Sequence, residues 1–104
     1  MLELLKSLFG IGPRVNFKEL VQNGAAIVDV RTKGEYSQGH IKGSVNIPLG
    51  SPVSQYARFP KNKVLITCCA SGMRSGQAKS TLKSSGYTDV HNGGGWGSLE
   101  YKLR

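Results

Sequence analysis

The segment "KVLITCCASGMRSGQAKSTLKSSG", residues 63–86, carries the secondary-structure pattern on which the prediction of the fold rests. Its first six residues form a short apolar run, which is typical of a strand buried on both faces of a parallel sheet. Residues 75–85 predict a helix, because Ala78 and Leu82 are four residues apart on one face and Gly86 is a common C-terminal stop. The segment therefore predicts a buried strand, a short loop and a helix, in that order.

The same alternation of strands and helices continues on both sides of this segment. Further strands are predicted at residues 25–30 (AAIVDV), 43–48 (GSVNIP) and 88–92 (TDVHN). Short helices are predicted at 17–22 (FKELVQ), 54–60 (SQYARFP) and 98–104 (SLEYKLR), a helical fragment within 33–40, and a loop at 93–97 (GGGWG). This order predicts an α/β domain with a mostly parallel sheet and helices on both faces.

Length and charge limit the kind of protein this is. A chain of 104 residues can bury one core but not two. The formal net charge of +8 is compatible with nucleic-acid binding, but the lysines are spread along the chain and no basic cluster is interleaved with aromatic residues. We therefore expect no nucleic-acid partner. A positive field of this kind would instead attract small anions or an acidic partner to a cleft.

Residues 1–13 are predicted to form a separate helical arm. Their apolar side chains fall on about one helical face, and "GIGP" then breaks the helix. Charged residues interrupt this stretch, and no segment approaches the roughly 18 continuous apolar residues that span a membrane. We therefore expect a cytoplasmic protein without a membrane partner.

The two cysteines, Cys68 and Cys69, are adjacent. Two cysteines in a chain of this kind do not predict a disulfide framework. Together with His40 and His91, which are far apart in the sequence, they lack the spacing of metal ligands. We expect neither a metal nor an organic cofactor.

The loop "CASGMR", residues 69–74, follows a strand and precedes a helix, where ligands of open α/β sheets bind. Ala70, Ser71 and Gly72 are small enough to let the backbone curl and turn its N–H groups inward. These donors, the helix N-terminus and Arg74 would all stabilise a thiolate and lower its pKa below the ordinary value. The loop therefore predicts a nucleophilic sulfur.

Three stretches resemble the rhodanese-like domain family: "VDVRTKGEYSQGHIKGSVNIPL" (28–49), "ITCCASGMRSGQAKSTLKSSGY" (66–87) and "NGGGW" (92–96). The resemblance covers nearly the whole chain from about residue 15. It implies the three-layer α/β/α domain of the single-domain sulfurtransferases, with a mostly parallel central sheet. We place this domain at residues 14–104.

In that family a six-residue loop begins at the reactive cysteine. The resemblance therefore implies that Cys69 carries the sulfur and that Arg74 supplies charge or braces the loop. Cys68 falls at the predicted strand end, where alternation directs its side chain away from the loop. The residues expected to bind the substrate are Ala70, Ser71, Gly72, Met73 and Ser75.

The implied activity is that of a thiosulfate:cyanide sulfurtransferase. Cys69 would take sulfane sulfur from a small anionic donor, either thiosulfate or a persulfide, and pass it to cyanide or a thiol. A sulfur-relay protein is a further expected partner, and the chain is expected to be a monomer or a weak dimer. Ala70 stands where many members have a basic residue, and Met73 is apolar, so thiosulfate is expected to be a poor donor.

Two other functions are compatible with the same segment. Counted from Cys68, the spacing to Arg74 is C-x5-R, which is typical of cysteine-based phosphatases and arsenate reductases. Against this function, Thr67 replaces the histidine that often precedes a phosphatase cysteine. The third alternative is a rhodanese-like module that only binds a partner, although such modules commonly lack the cysteine.

Three other groups are predicted to be structural. Arg31 is expected to pair with Glu35 or another acid and so fix its loop. His40 is expected to form a structural hydrogen bond, since an ionised thiolate needs no base. The glycines at 93–95 are expected to form a tight turn beside the loop.

Overall fold

The computed structural model describes residues 15–104, and the arm predicted at residues 1–13 lies outside this range. The described residues contain a sheet of four strands: β1 (Ala26–Asp29), β2 (Val45–Asn46), β3 (Leu65–Cys69) and β4 (Val90–Gly95). The strands lie in the order β2-β1-β3-β4, and every neighbouring pair is parallel. The predicted parallel α/β architecture is confirmed.

Helices cover both faces of this sheet. They are α1 (Phe17–Gln22), α2 (Lys33–Ser37), a 3-10 helix (Val53–Tyr56), α3 (Met73–Ser84) and α4 (Trp96–Lys102). Within residues 15–104, none of them has the length and apolar composition that crossing a bilayer requires.

Two apolar clusters lie on opposite faces of the sheet, and β3 contributes to both. Leu65 and Cys69 pack with Leu82 of α3 on one face. Ile66 and Cys68 pack with residues of α1 and α4 on the other face. Successive strand residues point to opposite faces, so this division follows directly from the strand conformation.

Several boundaries differ from the sequence predictions. β4 continues through the glycines to Gly95 and α4 begins at Trp96, so the loop predicted at 93–97 is wrong. Helix α3 begins at Met73, two residues early, because Gly72 has a φ of 105° and turns the chain directly into the helix. β3 includes Cys69, so Cys68 is not the last strand residue. The helix predicted at 54–60 is a 3-10 helix that ends at Tyr56.

A buried ion pair fixes the carboxyl end of β1. Arg31 Nη2 donates to Asp29 Oδ2 at 2.7 Å, and the Arg31 N–H donates to Asp29 Oδ1 at 3.0 Å. Arg31 Nη2 also donates to the Gly39 carbonyl at 2.7 Å, and the guanidinium lies 4.7 Å from the ring centre of Trp96. The predicted partner of Arg31 was Glu35 or another acid, and the structure identifies it as Asp29. This pair joins β1, the turn after α2 and helix α4.

Replacing the buried carboxylate should strongly destabilise the protein. Asp29→Ala leaves the Arg31 guanidinium buried without its counter-ion, and we expect a loss of about 3–5 kcal/mol in the free energy of unfolding in urea. The control is Glu19→Ala, at an exposed position of α1, with an expected change within about 0.5 kcal/mol. Equal effects of the two substitutions would show that the ion pair does not stabilise the fold.

Candidate active site

Cys69 is the last residue of β3, at the carboxyl edge of the sheet and directly before the loop that leads into α3. Its side chain has no exposed surface and packs in the same apolar cluster as Val28 and Leu82. On the loop side, the Gly72 N–H donates to Cys69 Sγ at 2.9 Å, and the Ser75 hydroxyl lies 3.4 Å from the sulfur. The sulfur therefore has hydrocarbon on one side and hydrogen-bond donors on the other.

These contacts decide the ionisation of Cys69. Burial acts to raise the pKa of its thiol, but the Ser75 hydroxyl and the backbone N–H groups of Ser75, Gly72 and Ser71 outweigh it. The pKa of Cys69 is therefore below its ordinary value. A lowered pKa increases the share of the thiolate, which is the nucleophilic form, at any given pH.

Cys68 has a different environment, although it is the adjacent residue. It packs with Ile66 and Leu99 in the cluster on the opposite face of the sheet, as the alternation of strand residues predicted. Burial raises the pKa of its thiol to about 12. At neutral pH Cys68 is a protonated, buried thiol.

The loop is held against β4 by direct backbone packing. A Cβ atom at Gly95 would lie 2.9 Å from the Ala70 carbonyl oxygen, which is closer than real contacts allow. On the α3 side, Thr67 Oγ1 donates to the Ser75 carbonyl at 2.8 Å. The loop thus has fixed contacts with two adjacent elements, which keeps its N–H groups in place around the sulfur.

Arg74 braces the loop from the outside. Its two terminal nitrogens donate to Glu35 Oε1 at 2.7 Å and Oε2 at 3.0 Å. Glu35 also accepts from the Thr32 N–H at 3.1 Å and so closes the N-terminal capping box of α2. The hydrogen bond from Arg74 is the main cause that lowers the pKa of Glu35 to about 2. Of the partners predicted for Arg31, Glu35 or another acid, Asp29 is the one observed, and the Glu35 carboxylate binds Arg74 instead.

The residues predicted to bind the substrate lie around Cys69 but in different environments. Ala70 and Ser71 are exposed, Met73 is 84% exposed, and Gly72 is partly buried. Ser75 is fully buried and contacts the sulfur from the α3 side. A ligand would therefore approach over the exposed residues Ala70, Ser71 and Met73, while Ser75 lies beneath the loop.

Sequence reasoning gave no role to Asn92, which the structure brings to the loop. Its Nδ2 donates to the Gly72 carbonyl at 3.1 Å, and its Oδ1 accepts from the Ser75 hydroxyl at 2.6 Å. The signal that could have found it is its position near the carboxyl end of β4, the strand beside β3. The predicted structural role of His40 agrees with its Nδ1 lying 2.7 Å from the Tyr36 carbonyl.

The amino-acid sequence of this domain matches that of a known protein family. The model of the rhodanese-like domain matches residues 15–98, which is most of the chain. The chain belongs to the rhodanese-like domain family.

Proteins named as sulfurtransferases and a putative sulfur carrier protein are among the relatives of this chain. It is 41% identical over 70 residues to thiosulfate sulfurtransferase PspE of Escherichia coli, covering 65% of this chain and 67% of that protein. It is 33% identical over 75 residues to thiosulfate sulfurtransferase GlpE of Pseudomonas paraeruginosa, covering 72% and 68%. The chain spans less than half, 42%, of the putative sulfur carrier protein YrkF of Bacillus subtilis, at 37% identity over 73% of this chain.

Solved structures agree with the family assignment. A rhodanese with anions from E. coli superposes with a TM-score of 0.66 at 38% identity, covering 72% of this chain and 91% of that one. The structure of reduced Bacillus anthracis CoADR-RHD gives a TM-score of 0.71 at 33% identity, covering 94% of this chain and 18% of that one. The rhodanese-like fold is thus shared with proteins of known structure.

The close packing of this rhodanese-like loop against β4 can be tested at Gly95. Gly95→Ala places a Cβ on the Ala70 carbonyl, and we expect it to destabilise the protein by about 1–3 kcal/mol and to slow alkylation of Cys69 by iodoacetamide. The matched control is Gly97→Ala in α4, where a Cβ meets nothing within 4 Å and should stabilise the helix by about 0.5–1 kcal/mol. Thermal unfolding and the alkylation rate at pH 7 measure both effects. If Gly95→Ala behaves like the control, the loop does not depend on this contact.

The Arg74–Glu35 pair predicts a specific pH dependence of stability. The folded-state pKa of Glu35 is about 2, below the ordinary 4.5, so its stabilising contribution is present above pH 4.5 and is lost as the pH falls towards 2. Glu35→Gln removes the charge but keeps the capping box. We expect wild type to be more stable than Glu35→Gln at pH 6 and the difference to shrink at about pH 3, measured by urea unfolding. A difference that stays constant with pH would contradict the ionic role of Glu35.

Proposed function

We propose that this protein is a sulfurtransferase that carries sulfane sulfur as a persulfide on Cys69. The observation that carries the proposal is the hydrogen bond from the Gly72 N–H to Cys69 Sγ at 2.9 Å, at the base of a loop with exposed residues above it. Main-chain donors aimed at this sulfur favour its anionic form. The names of the relatives, two of them thiosulfate sulfurtransferases, support the same activity.

In the first half-reaction the Cys69 thiolate attacks the outer sulfur of the donor. With thiosulfate, the new bond joins Cys69 Sγ to that sulfur, the S–S bond of thiosulfate breaks, and sulfite leaves with the electron pair. The product is the Cys69 persulfide, whose negative charge lies on the terminal sulfur. Backbone N–H groups of the loop are the donors available to stabilise that charge.

In the second half-reaction a nucleophile attacks the terminal sulfur. Cyanide would leave as thiocyanate, and a thiolate would leave as a new persulfide, with the electron pair of the broken S–S bond returning to Cys69. The thiolate of the enzyme is regenerated without any external oxidant or reductant. This is covalent catalysis in two steps through one intermediate.

The charges at the loop favour a persulfide donor over thiosulfate. Arg74 already makes two hydrogen bonds to Glu35, and Ala70 and Met73 supply no charge. A thiosulfate dianion would therefore meet backbone donors but no free guanidinium of Arg74. The reacting S–S group of a small-molecule or protein persulfide carries at most one negative charge, against two on thiosulfate, and suits this surface better.

The geometry speaks against the phosphatase alternative. That function requires Cys68 as the nucleophile, but Cys68 packs among Ile66 and Leu99 on the opposite face of the sheet. Its pKa is raised to about 12 by burial, so the thiolate is scarce at neutral pH. Cys69 is the sulfur that the loop surrounds.

Sulfur loading can be measured directly by intact mass. Wild type, Cys69→Ser and Cys68→Ser are incubated separately with thiosulfate and with glutathione persulfide, desalted and weighed. We expect wild type and Cys68→Ser to gain one sulfur atom, Cys69→Ser to gain none, and loading to be faster from glutathione persulfide.

Two results would contradict the proposal. One is loading that survives in Cys69→Ser but is lost in Cys68→Ser. The other is hydrolysis of an aryl phosphate that depends on Cys68, together with no sulfur loading from either donor.

A further inference from the structure

Both polar atoms of the Asn92 side-chain amide are hydrogen-bonded, Nδ2 to the loop and Oδ1 to a backbone N–H of β4. Nδ2 donates to the Gly72 carbonyl at 3.1 Å, and Oδ1 accepts from the Gly94 N–H at 2.9 Å. The opposite orientation would set Oδ1 against the Gly72 carbonyl oxygen and Nδ2 against the Gly94 N–H, so both contacts would be repulsive. The orientation of the amide is therefore fixed by its neighbours.

This orientation also fixes the proton of Ser75. The Ser75 hydroxyl has one proton, and three atoms lie near its oxygen: Asn92 Oδ1 at 2.6 Å, the Gly72 carbonyl at 3.1 Å and Cys69 Sγ at 3.4 Å. Asn92 Oδ1 is the nearest and can only accept, so Ser75 donates to it. While Cys69 is a thiol, the Ser75 oxygen is then left to accept its hydrogen bond. The same hydroxyl lowers the pKa of Cys69 only when it turns to the thiolate and leaves Asn92.

We propose that Asn92 is a positioning residue that holds the Ser75 proton away from the sulfur, and so favours the thiol and persulfide forms of Cys69 over the free thiolate. The inference rests on the proposed role of Cys69 as sulfur carrier. Asn92 acts through Ser75 and does not itself contact the sulfur.

The three chemical forms of Cys69 place different demands on Ser75. The thiol donates to the Ser75 oxygen, and in the persulfide Sγ is bonded to carbon and to sulfur and carries no charge. In both forms Ser75 keeps its hydrogen bond to Asn92. When the thiol loses its proton to solvent, a hydrogen bond from a hydroxyl stabilises the negative charge on the sulfur. Ser75 can donate that hydrogen bond only by breaking its hydrogen bond to Asn92. Asn92 thus makes the empty, ionised carrier less favourable than the loaded one.

Other charged groups near Cys69 are already paired and remain the same when Asn92 is changed. Arg74, at the start of α3, is bound to Glu35 of α2. At the end of β1, Asp29 is bound to Arg31. Within residues 15–104, the remaining titratable neighbours are the thiol of Cys68 and, in the apolar cluster of Cys69, Tyr56 and Tyr87. A shift on substituting Asn92 therefore reports on the Ser75 proton.

The test is a double-mutant cycle on the ionisation of Cys69. The rate of Cys69 alkylation by iodoacetamide is measured from pH 5 to 10 in wild type, Asn92→Ala, Ser75→Ala and the double variant, with the modified cysteine located by fragment mass spectra. Freeing the Ser75 proton for the thiolate should lower the pKa of Cys69 by about 0.7, a fivefold change that corresponds to one net hydrogen bond. In the Ser75→Ala background, Asn92→Ala should leave the pKa unchanged.

A purely structural role predicts the opposite result. If Asn92 only braces the Gly72 carbonyl, Asn92→Ala would weaken the hydrogen bond from the Gly72 N–H to Cys69. The pKa of Cys69 would then rise equally with Ser75 and with Ser75→Ala. That result, or no shift, would overturn the inference.

A second variant protects the test against misfolding of the first. Asn92→Asp keeps an acceptor towards Ser75 and Gly94, but its charge and its second oxygen, which faces the Gly72 carbonyl, raise the pKa of Cys69 by themselves, so it is measured with Ser75 and with Ser75→Ala. The rise should be larger with Ser75 present, because the carboxylate holds the Ser75 proton more strongly, and an equal rise in both backgrounds would overturn the inference. The titration needs no sulfur donor, so its outcome is separate from sulfur loading. Loading with an unshifted pKa refutes only the role of Asn92, whereas the expected shift without loading refutes only the sulfurtransferase function.

Discussion

A negative charge on a sulfur atom inside an apolar core needs hydrogen-bond donors, and in this protein the main chain supplies them. Cys69 packs beside Val28 on one side and accepts from the Gly72 N–H on the other. Burial alone would raise the pKa of the thiol, and the hydrogen-bond donors more than offset that effect. The left-handed turn at Gly72 and the early start of α3 both serve to bring these N–H groups to the sulfur.

The two adjacent cysteines illustrate how strand geometry separates chemistry from packing. Both belong to β3 and neither is exposed. Cys68 points to the face covered by α1 and α4, where it packs in an apolar cluster, and burial raises its pKa. Cys69 points to the face of α3, where the chain leaves the strand and folds back over it. A difference of one position along the strand thus gives the two thiols opposite environments.

The sequence predicted the order of strands and helices, the sheet type and the division between the cysteines, because all three follow from short-range periodicity. It did not identify the partner of Arg74. Glu35 is 39 residues away, and which of two nearby arginines it binds depends on side-chain positions in three dimensions. The extent of β4 was also missed, because glycine has a low strand propensity, although at Gly95 only glycine fits against the Ala70 carbonyl. Asn92 was missed because its role exists only once β4 lies beside β3.

The glycine at position 95 has a consequence for how this site can diversify. Because the loop rests on β4 through peptide groups, its curvature does not depend on which side chains it carries at positions 70, 71 and 73. Those three side chains are exposed. New residues there can therefore alter which molecules are recognised, while the backbone N–H groups of the loop continue to donate to Cys69. Selectivity for a ligand and reactivity of the thiol can thus evolve, or be engineered, independently.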